Sequence, residues 1–141
     1  DLILGGVAIA HDKGLLGHSD ADALIHAVID AILGAAALGD IGRHFPDTDP
    51  KYKGISSLVL LEKTRELLAG TGYCLSNVDA TVIAQEPRLA PYIDLMRESL
   101  AGALGLELSR VSVKAKSNEG LDAVGRKEAI AVYAVALITK S

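Results

Sequence analysis

The sequence predicts a single α+β domain, residues 1–141, in which helices pack on one face of a mixed four-stranded sheet. Three observations lead to this fold class. The length of 141 residues suits one hydrophobic core and not two. Half of the residues are hydrophobic but only 4% are aromatic, so Ala, Leu, Ile and Val must build that core. Strand-like and helix-like segments follow one another in an order that suits helices covering one side of a sheet.

A hairpin and a long helix open the predicted fold. Leu2 to Ile9 is typical of two short strands around a pair of glycines, because adjacent glycines favour tight hairpin turns. A helix is predicted from Ser19 or Asp20 to Ala37, since either residue can accept hydrogen bonds from the free amides of a first turn. Apolar residues surround nearly the whole helix, which is typical of an element buried on most sides.

A long loop and a second helix follow. From Gly39 to Gly54 the chain is rich in Asp, Gly, Pro and Lys, which predicts a binding loop or a lid. Ser56 or Ser57 then caps a helix that extends to about Ala69, and Gly70 ends it.

Strands and one more helix complete the chain. The β-branched content of Tyr73 to Ala84 predicts a strand. Two prolines flank the start of a third helix, predicted from Tyr92 to Leu104 and ended by Gly105. Val111 to Ala115 and Ala129 to Thr139 are predicted as the last two strands, although the alanines of the second leave a helix as an alternative.

Charge and cysteine content exclude several classes of function. With 18 acidic and 14 basic residues the net charge is -4, which argues against nucleic acid or an anionic membrane surface as the main partner. No apolar run has membrane-spanning length, and no cleavable leader is recognisable at the start. Cys74 is the only cysteine, so an internal disulfide is impossible and a reducing compartment is expected.

Three polar residues interrupt the apolar long helix at intervals of four. Asp22, His26 and Asp30 are therefore predicted to project from one face, one turn above the next. On a buried helix such groups must be hydrogen-bonded, ion-paired or metal-bound. The alternatives are a stripe that faces solvent and a histidine satisfied by a neighbouring aspartate. Used alone, the stripe would suit a metal-dependent phosphohydrolase.

Three further segments carry polar groups suited to a ligand. Residues 43–53 combine basic side chains with aspartates, which could hold a phosphorylated ligand and its metal ion. Gln85 to Leu89 lies between a strand and a helix, where free amides can meet an anion. Lys114 to Gly120 places basic and hydroxyl groups at a strand end. Each segment could equally be an ordinary solvated loop.

Three runs of sequence resemble a known enzyme family. They are GLLGHSDADALIHAVIDAILGAAALGDIGRHFPDTDPKYKG at residues 14–54, NVDATVIAQEPRL at 77–89 and VKAKSNEGLDAVGRKEAIA at 113–131. Together they closely resemble the 2-C-methyl-D-erythritol 2,4-cyclodiphosphate synthases of the non-mevalonate isoprenoid pathway. The resemblance covers essentially the whole chain in register.

The resemblance implies a homotrimer with active sites between neighbouring chains, located in a bacterial cytoplasm or a plastid stroma. The implied reaction cyclises 4-diphosphocytidyl-2-C-methyl-D-erythritol 2-phosphate and releases CMP. Because two anionic phosphates must meet, metal ions and fixed hydrogen-bond donors are the expected catalysts. A non-catalytic trimer that binds cytidine nucleotide or isoprenoid diphosphate is the alternative.

The resemblance also implies metal and phosphate sites. His26 matches a histidine that binds Zn²⁺ or another divalent transition metal, and we expect Asp30, one turn on, to orient it. Glu119 matches the ligand of Mg²⁺ or Mn²⁺. His18 and Ser19 match the pair that contacts the substrate phosphate, with His18 catalytic. Ser117 takes the place of the family's catalytic threonine.

The remaining implied contacts are spread over four segments. Asp40, Ile41 and Gly42 match the residues that hold the methylerythritol hydroxyls, and Phe45, Pro46, Asp47, Thr48 and Asp49 match the flexible loop that covers them. Ala84, Arg88, Leu89 and Ala90 match the cytidine pocket, while Lys116, Ser117, Asn118 and Glu119 match the segment around the diphosphate. Ala123 stands at a wall of the substrate pocket where many relatives have phenylalanine. Arg126 matches a residue lining a cavity on the trimer axis that can hold an isoprenoid diphosphate.

One part of the family pattern is not present in the given sequence. The other two zinc ligands of the family form an Asp-x-His motif upstream of the first strand, and this chain begins after that point. Because a catalytic zinc needs three protein ligands, we expect the motif to precede the given residues.

Overall fold

The computed structural model describes residues 2–11 and 21–141. The elements in these ranges are β1 (Leu2–Leu4), β2 (Val7–Ile9), α1 (Ala23–Ala35), α2 (Ile41–His44), α3 (Ser57–Ala69), β3 (Tyr73–Ile83), α4 (Ile93–Leu104), β4 (Val111–Lys116), α5 (Asp122–Gly125) and β5 (Ala131–Lys140). Single 3₁₀ turns occur at Pro50–Tyr52, Ala90–Tyr92 and Leu108–Arg110. The three long helices and all the predicted strands are confirmed, including the strand at the C-terminus. Within the described ranges, every helix is too short or too polar to cross a membrane.

The sheet is mixed, as predicted, but the expected count of four strands is wrong for the described residues. β3 lies at the centre of a three-stranded sheet, parallel to β4 on one side and antiparallel to β5 on the other. β1 and β2 pair antiparallel with each other in a separate two-stranded sheet. The chain is therefore an α+β domain with a three-stranded sheet and an independent hairpin.

The hairpin packs on the helices. Gly5 and Gly6 form its turn with φ angles of +59° and +75°, which favour glycine. A Cβ atom on Gly5 would lie 2.9 Å from the Cβ of Met96, and one on Gly6 would lie 2.6 Å from the hydroxyl of Ser99. Because the turn presses this closely on α4, the hairpin is held at the helical layer and not at a sheet edge.

Helices cover one face of the sheet, as predicted. Val78, Ala80 and Val82 of β3 are buried beneath the helices. The opposite face exposes Tyr133, Val135 and Leu137 of β5 to 67%, 69% and 56%. We call these three residues the β5 apolar row. The core is centred on α1, whose buried side chains are Leu24, Ile25, Val28, Ile29, Ile32 and Leu33.

The predicted start of the long helix is wrong. α1 begins at Ala23, and Asp22 is its N-cap, because its carboxylate accepts a hydrogen bond from the Ile25 amide. The helix ends before Ala37, which adopts a left-handed φ of +57°. The predicted loop at residues 39–54 also contains regular structure, since α2 and a 3₁₀ turn interrupt it.

Candidate active site

His26 lines a cavity between α1 and the loop that follows it. The cavity has a volume of about 330 Å³, and we call it the His26 cavity. Its lining residues are His26, Ile41, Gly42, Phe45, Pro46, Asp47, Tyr52 and Leu60. Five of the predicted sugar contacts therefore meet the predicted metal ligand, whereas Asp40, Thr48 and Asp49 lie outside this lining. The walls are mainly apolar, and His26 and Asp47 are their histidine and carboxylate side chains.

His26 is held from α3. Its Nε2 atom lies 3.0 Å from the hydroxyl of Ser57, the first residue of α3, which is completely buried. Ser56 caps the same helix through a hydrogen bond from the Leu58 amide. Sequence reasoning treated the two serines as interchangeable caps and missed this contact. The signal was the serine pair itself, because one cap leaves a second hydroxyl for another partner.

The polar stripe of α1 does not act as a unit. The Asp22 carboxylate is completely buried and accepts hydrogen bonds from the amides of Gly5 at 2.9 Å, Gly6 at 2.7 Å and Ile25 at 3.0 Å. Asp30 is exposed and accepts a hydrogen bond of 2.8 Å from the Ile41 amide. The expectation that Asp30 orients His26 is therefore wrong. A hydrolase site built on all three residues is excluded, because Asp22 is committed to backbone amides.

Capping aspartates shape the wall of the His26 cavity. Asp40 caps α2 by accepting a hydrogen bond of 2.9 Å from the Arg43 amide. Asp49 caps the next 3₁₀ turn through a bond of 3.1 Å from the Lys51 amide. Because Asp30 also binds the start of α2, three carboxylates fix this segment by binding backbone amides.

Two aromatic rings close one side of the same cavity. Phe45 and Tyr52 are buried and meet edge to face, with their ring centroids 5.5 Å apart. The Lys51 ammonium lies 4.9 Å from the Tyr52 ring centroid. A hydrogen bond with Tyr52 and the nearby Asp49 carboxylate raise the pKa of Lys51. Sequence reasoning missed Tyr52 and Leu60 because only the fold brings them to Phe45.

A second cavity joins the ends of β3 and β4. Its volume is about 360 Å³, and we call it the Ser117 cavity. Its lining residues are Ala84, Gln85, Pro87, Arg88, Leu89, Ala90, Ala115, Lys116 and Ser117. The predicted cytidine pocket and the first two residues of the predicted diphosphate segment therefore meet. A backbone hydrogen bond of 2.9 Å from Ala84 to the Lys116 carbonyl joins the two strand ends.

The segment after β4 folds back on itself. The Asn118 amide donates to the Leu121 carbonyl and to the Asp122 carboxylate, both at 2.8 Å. Glu119 is exposed and adopts a φ of +51°. Gly120 donates to the Gln85 side chain at 3.1 Å, which attaches the segment to the Ser117 cavity.

Three more of the predicted contacts lie beside this cavity and not in its lining, namely Asn118, Glu119 and Ala123. Ala123 is half-buried in α5. Arg126 forms an ion pair with Glu128 at 3.0 Å, which raises the pKa of the guanidinium group.

Metal ligation cannot be completed from the described part of the chain. In residues 2–11 and 21–141, no three His, Cys, Asp or Glu side chains form a group that could hold a metal ion. His26 lines the His26 cavity, whereas Glu119 lies beside the Ser117 cavity. His18 and Ser19, predicted to bind phosphate, lie outside the described residues.

Comparison with known proteins gives a consistent result. The model of the YgbB family matches residues 1–139. The 2-C-methyl-D-erythritol 2,4-cyclodiphosphate synthase of Alkaliphilus metalliredigens is 58% identical over 99% of this chain and 88% of its own length. The protein of the same name from Gloeobacter violaceus is 62% identical over 97% and 84%. The solved CDP complex of IspF from Plasmodium falciparum matches with a TM-score of 0.85 and 35% identity, covering 99% of this chain and 83% of the other.

Proposed function

This chain belongs to the YgbB family, and from that membership we propose that it closes a cyclic diphosphate. Its substrate is 4-diphosphocytidyl-2-C-methyl-D-erythritol 2-phosphate, and its products are 2-C-methyl-D-erythritol 2,4-cyclodiphosphate and CMP. The protein is thus a lyase of non-mevalonate isoprenoid synthesis, placed in a bacterial cytoplasm or a plastid stroma. The observation that carries the proposal is the identity of 58% over nearly the full length of a curated synthase.

The reaction exchanges one phosphorus–oxygen bond for another. An oxygen of the 2-phosphate attacks the β-phosphorus, and the bond from that phosphorus to the oxygen bridging to the α-phosphate breaks. The electron pair leaves with CMP, so no oxidant or reductant is needed. The protein must hold two anions together and stabilise charge on the equatorial oxygens.

The two cavities suit the two ends of this substrate. The Ser117 cavity presents Arg88, Lys116 and a serine hydroxyl, which match a nucleotide diphosphate. The CDP complex of the Plasmodium falciparum relative supports cytidine binding here. The His26 cavity, whose walls include Phe45 and Leu60, suits the methylerythritol unit, with Ile41 and Gly42 also in its wall. In this assignment Ser117 contacts the diphosphate, and Asn118 shapes the segment that carries it.

Zinc would be held in part by His26. The histidine fits this role because imidazole is a preferred zinc ligand and His26 lies in the wall of a cavity. It supplies one ligand, and the resemblance predicts the other two in an Asp-x-His motif. A bound zinc supplies a Lewis acid that polarises phosphate oxygens. Glu119, an exposed carboxylate two residues after Ser117, suits a magnesium or manganese ion on the diphosphate.

A trimer would explain why the two cavities are separate. Within one chain the His26 cavity and the Ser117 cavity have no lining residue in common. We propose that neighbouring subunits bring the sugar cavity of one chain to the nucleotide cavity of the next. The β5 apolar row is a suitable contact surface, because exposed aromatic and aliphatic side chains on a sheet favour burial against a partner.

The proposed axial ligand would depend on Arg126. An isoprenoid diphosphate would pair with this guanidinium, which already contacts Glu128. Titration with geranyl diphosphate tests the idea. We expect Arg126→Ala to weaken saturable binding, and unchanged binding would contradict the assignment.

Phosphorus NMR of the protein with substrate, zinc and magnesium tests the proposed reaction. We expect resonances of CMP and the cyclic diphosphate, measured beside a version that carries additional upstream residues. Product formed only by the longer version would support the predicted Asp-x-His ligands. Cytidine nucleotide binding without turnover in both versions would favour the alternative, a trimeric binding protein.

A further inference from the structure

The hydrogen bond between His26 and Ser57 joins α1 to α3 beside the His26 cavity. It connects Nε2 of the ring to the serine hydroxyl over 3.0 Å. Ser57 is completely buried, and the first turn of α3 fixes its backbone. The cap of α3 uses the hydroxyl of Ser56, so helix capping does not account for the placement of Ser57.

We propose that Ser57 is a positioning residue, which holds His26 so that a divalent metal is coordinated through Nδ1. The proposal rests on the zinc role given to His26 above. A ring nitrogen engaged in a hydrogen bond with a hydroxyl cannot at the same time bind a metal. Because Ser57 takes Nε2, Nδ1 is the nitrogen through which His26 serves as a ligand.

The protonation state of the ring follows from this arrangement. A neutral imidazole that coordinates through Nδ1 carries its proton on Nε2. That N–H donates to the oxygen of Ser57, which can accept it. Metal-binding histidines usually donate their other N–H to a protein group, which fixes the tautomer and the ring orientation. Asp30 was expected to fill this role, but its carboxylate binds the Ile41 amide.

A flipped ring would lose this support. Rotation of the imidazole by half a turn would bring a carbon atom to Ser57 in place of Nε2. The buried hydroxyl would then lose its contact with the ring, which opposes the flip. The pair thus selects one nitrogen and one orientation before any metal binds.

Ser57→Ala tests the proposal, with Ser56→Ala as the matched control. Both variants remove one hydroxyl at the start of α3, but only the first removes the contact with His26. In the longer version that carries the upstream residues, competition with a fluorescent zinc indicator should show that Ser57→Ala weakens zinc binding roughly 10- to 100-fold. Ser56→Ala should bind zinc like the unaltered protein. Unchanged affinity in Ser57→Ala, or an equal loss in both variants, would overturn the proposal.

Nitrogen NMR of histidine-labelled protein gives a readout that needs no variant. In the zinc-loaded longer version, without a substitution, we expect metal on Nδ1 of His26 and a proton on Nε2. Zinc on Nε2 overturns the proposal even if Ser57→Ala does not fold. CMP release from the same sample separates this test from that of the reaction. Release with zinc on Nε2 refutes the role of Ser57 alone, whereas zinc on Nδ1 without release refutes the reaction alone.

Discussion

Asp22 has a structural role that its spacing in the sequence does not reveal. By spacing it belongs with His26 and Asp30, and the structure places it as the N-cap of α1, the helix that carries the other two. Their partners differ, because Asp22 binds the hairpin turn, His26 binds α3 and Asp30 binds α2. Helical periodicity predicts a shared face but not the groups that pack against it.

Asp22→Asn should strongly destabilise the fold. The carboxylate is completely buried and accepts three backbone hydrogen bonds, whereas an asparagine would turn an N–H group toward one of those donors. We expect a loss of about 3 kcal/mol in the free energy of unfolding, measured by urea denaturation. The matched control is Asp94→Asn, because the Asp94 carboxylate is 82% exposed in a surface ion pair. Equal effects of the two variants would contradict the role of Asp22.

His26→Ala should separate chemistry from folding. The substitution removes the proposed zinc ligand from the wall of the His26 cavity while most of the α1 core stays intact. We expect CMP release to fall at least about 100-fold and zinc binding to be lost, with the circular dichroism spectrum unchanged. A variant that still turned over substrate at the normal rate would show that the ligand assignment is wrong.

At the scale of elements, local sequence signals were sufficient to predict the helices and strands. They were insufficient to predict which of these elements pack against one another. α3 and α4 were predicted to within one residue, because a glycine marks the end of each helix, a capping serine marks the start of α3 and nearby prolines mark the start of α4. The start of α1 was misplaced because three possible caps follow one another at residues 19, 20 and 22. The separate position of the hairpin was not predicted, because its contacts with Asp22 and α4 join residues far apart in sequence.

The candidate site was likewise predictable where its residues are contiguous in sequence and unpredictable where they are not. Contiguous motifs predicted much of both cavities, including Ile41 to Asp47 and Ala84 to Ala90. Ser57, Tyr52 and Leu60 were missed, since each reaches the site only through the packing of α3 and the preceding turn against α1. The family resemblance predicted the roles of individual residues, whereas their contact partners became known only from the fold.

The pair of Asp79 and Lys114 ties β3 to β4 and should give the sheet a small dependence on acid. A hydrogen bond of 2.9 Å from Lys114 lowers the pKa of Asp79 below its ordinary value of 3.8. The ionised pair therefore stabilises the fold above that value, and the stabilisation is lost as the pH falls toward the lowered pKa. Both side chains are substantially exposed, so the contribution should stay below about 1 kcal/mol.

Asp79→Asn checks this expectation. Above pH 5 the variant should be slightly less stable than the unaltered protein, and the difference should vanish as the pH falls well below the ordinary Asp value. Chemical denaturation at a series of pH values measures the difference. A gap that persists unchanged into strong acid would show that the ion pair is not its source.

For the whole molecule, the important asymmetry is that the helical face of the sheet is buried and the other is not. The β5 apolar row projects from the uncovered face, beside the ion pair of Asp79 and Lys114. Two cavities with separate linings suit a site that is completed by another copy of the chain. A substitution that prevents the assembly of the trimer should therefore also abolish activity.

Val135→Asp should convert the proposed trimer into monomers. Val135 is 69% exposed in the middle of the β5 apolar row, and a buried carboxylate there would lack a partner. Val59→Asp is the control, because Val59 is exposed on α3, in the helical layer. Size-exclusion chromatography with light scattering should show the smaller mass only for Val135→Asp. An unaltered protein that is already monomeric would contradict the trimer itself.

The spacing of contacts along α1 also bears on how this sequence can change over evolutionary time. Asp22 binds the hairpin, His26 is the proposed metal ligand and Asp30 binds α2 at the cavity wall. These three residues follow one another along one helix at intervals of about 6 Å. Replacing a side chain affects one of these connections. Inserting a single residue between Asp22 and Asp30 would rotate everything beyond it by about 100° and break several at once. Insertions and deletions should therefore be tolerated in the surface loops, while the length of this helix between Asp22 and Asp30 should stay constant.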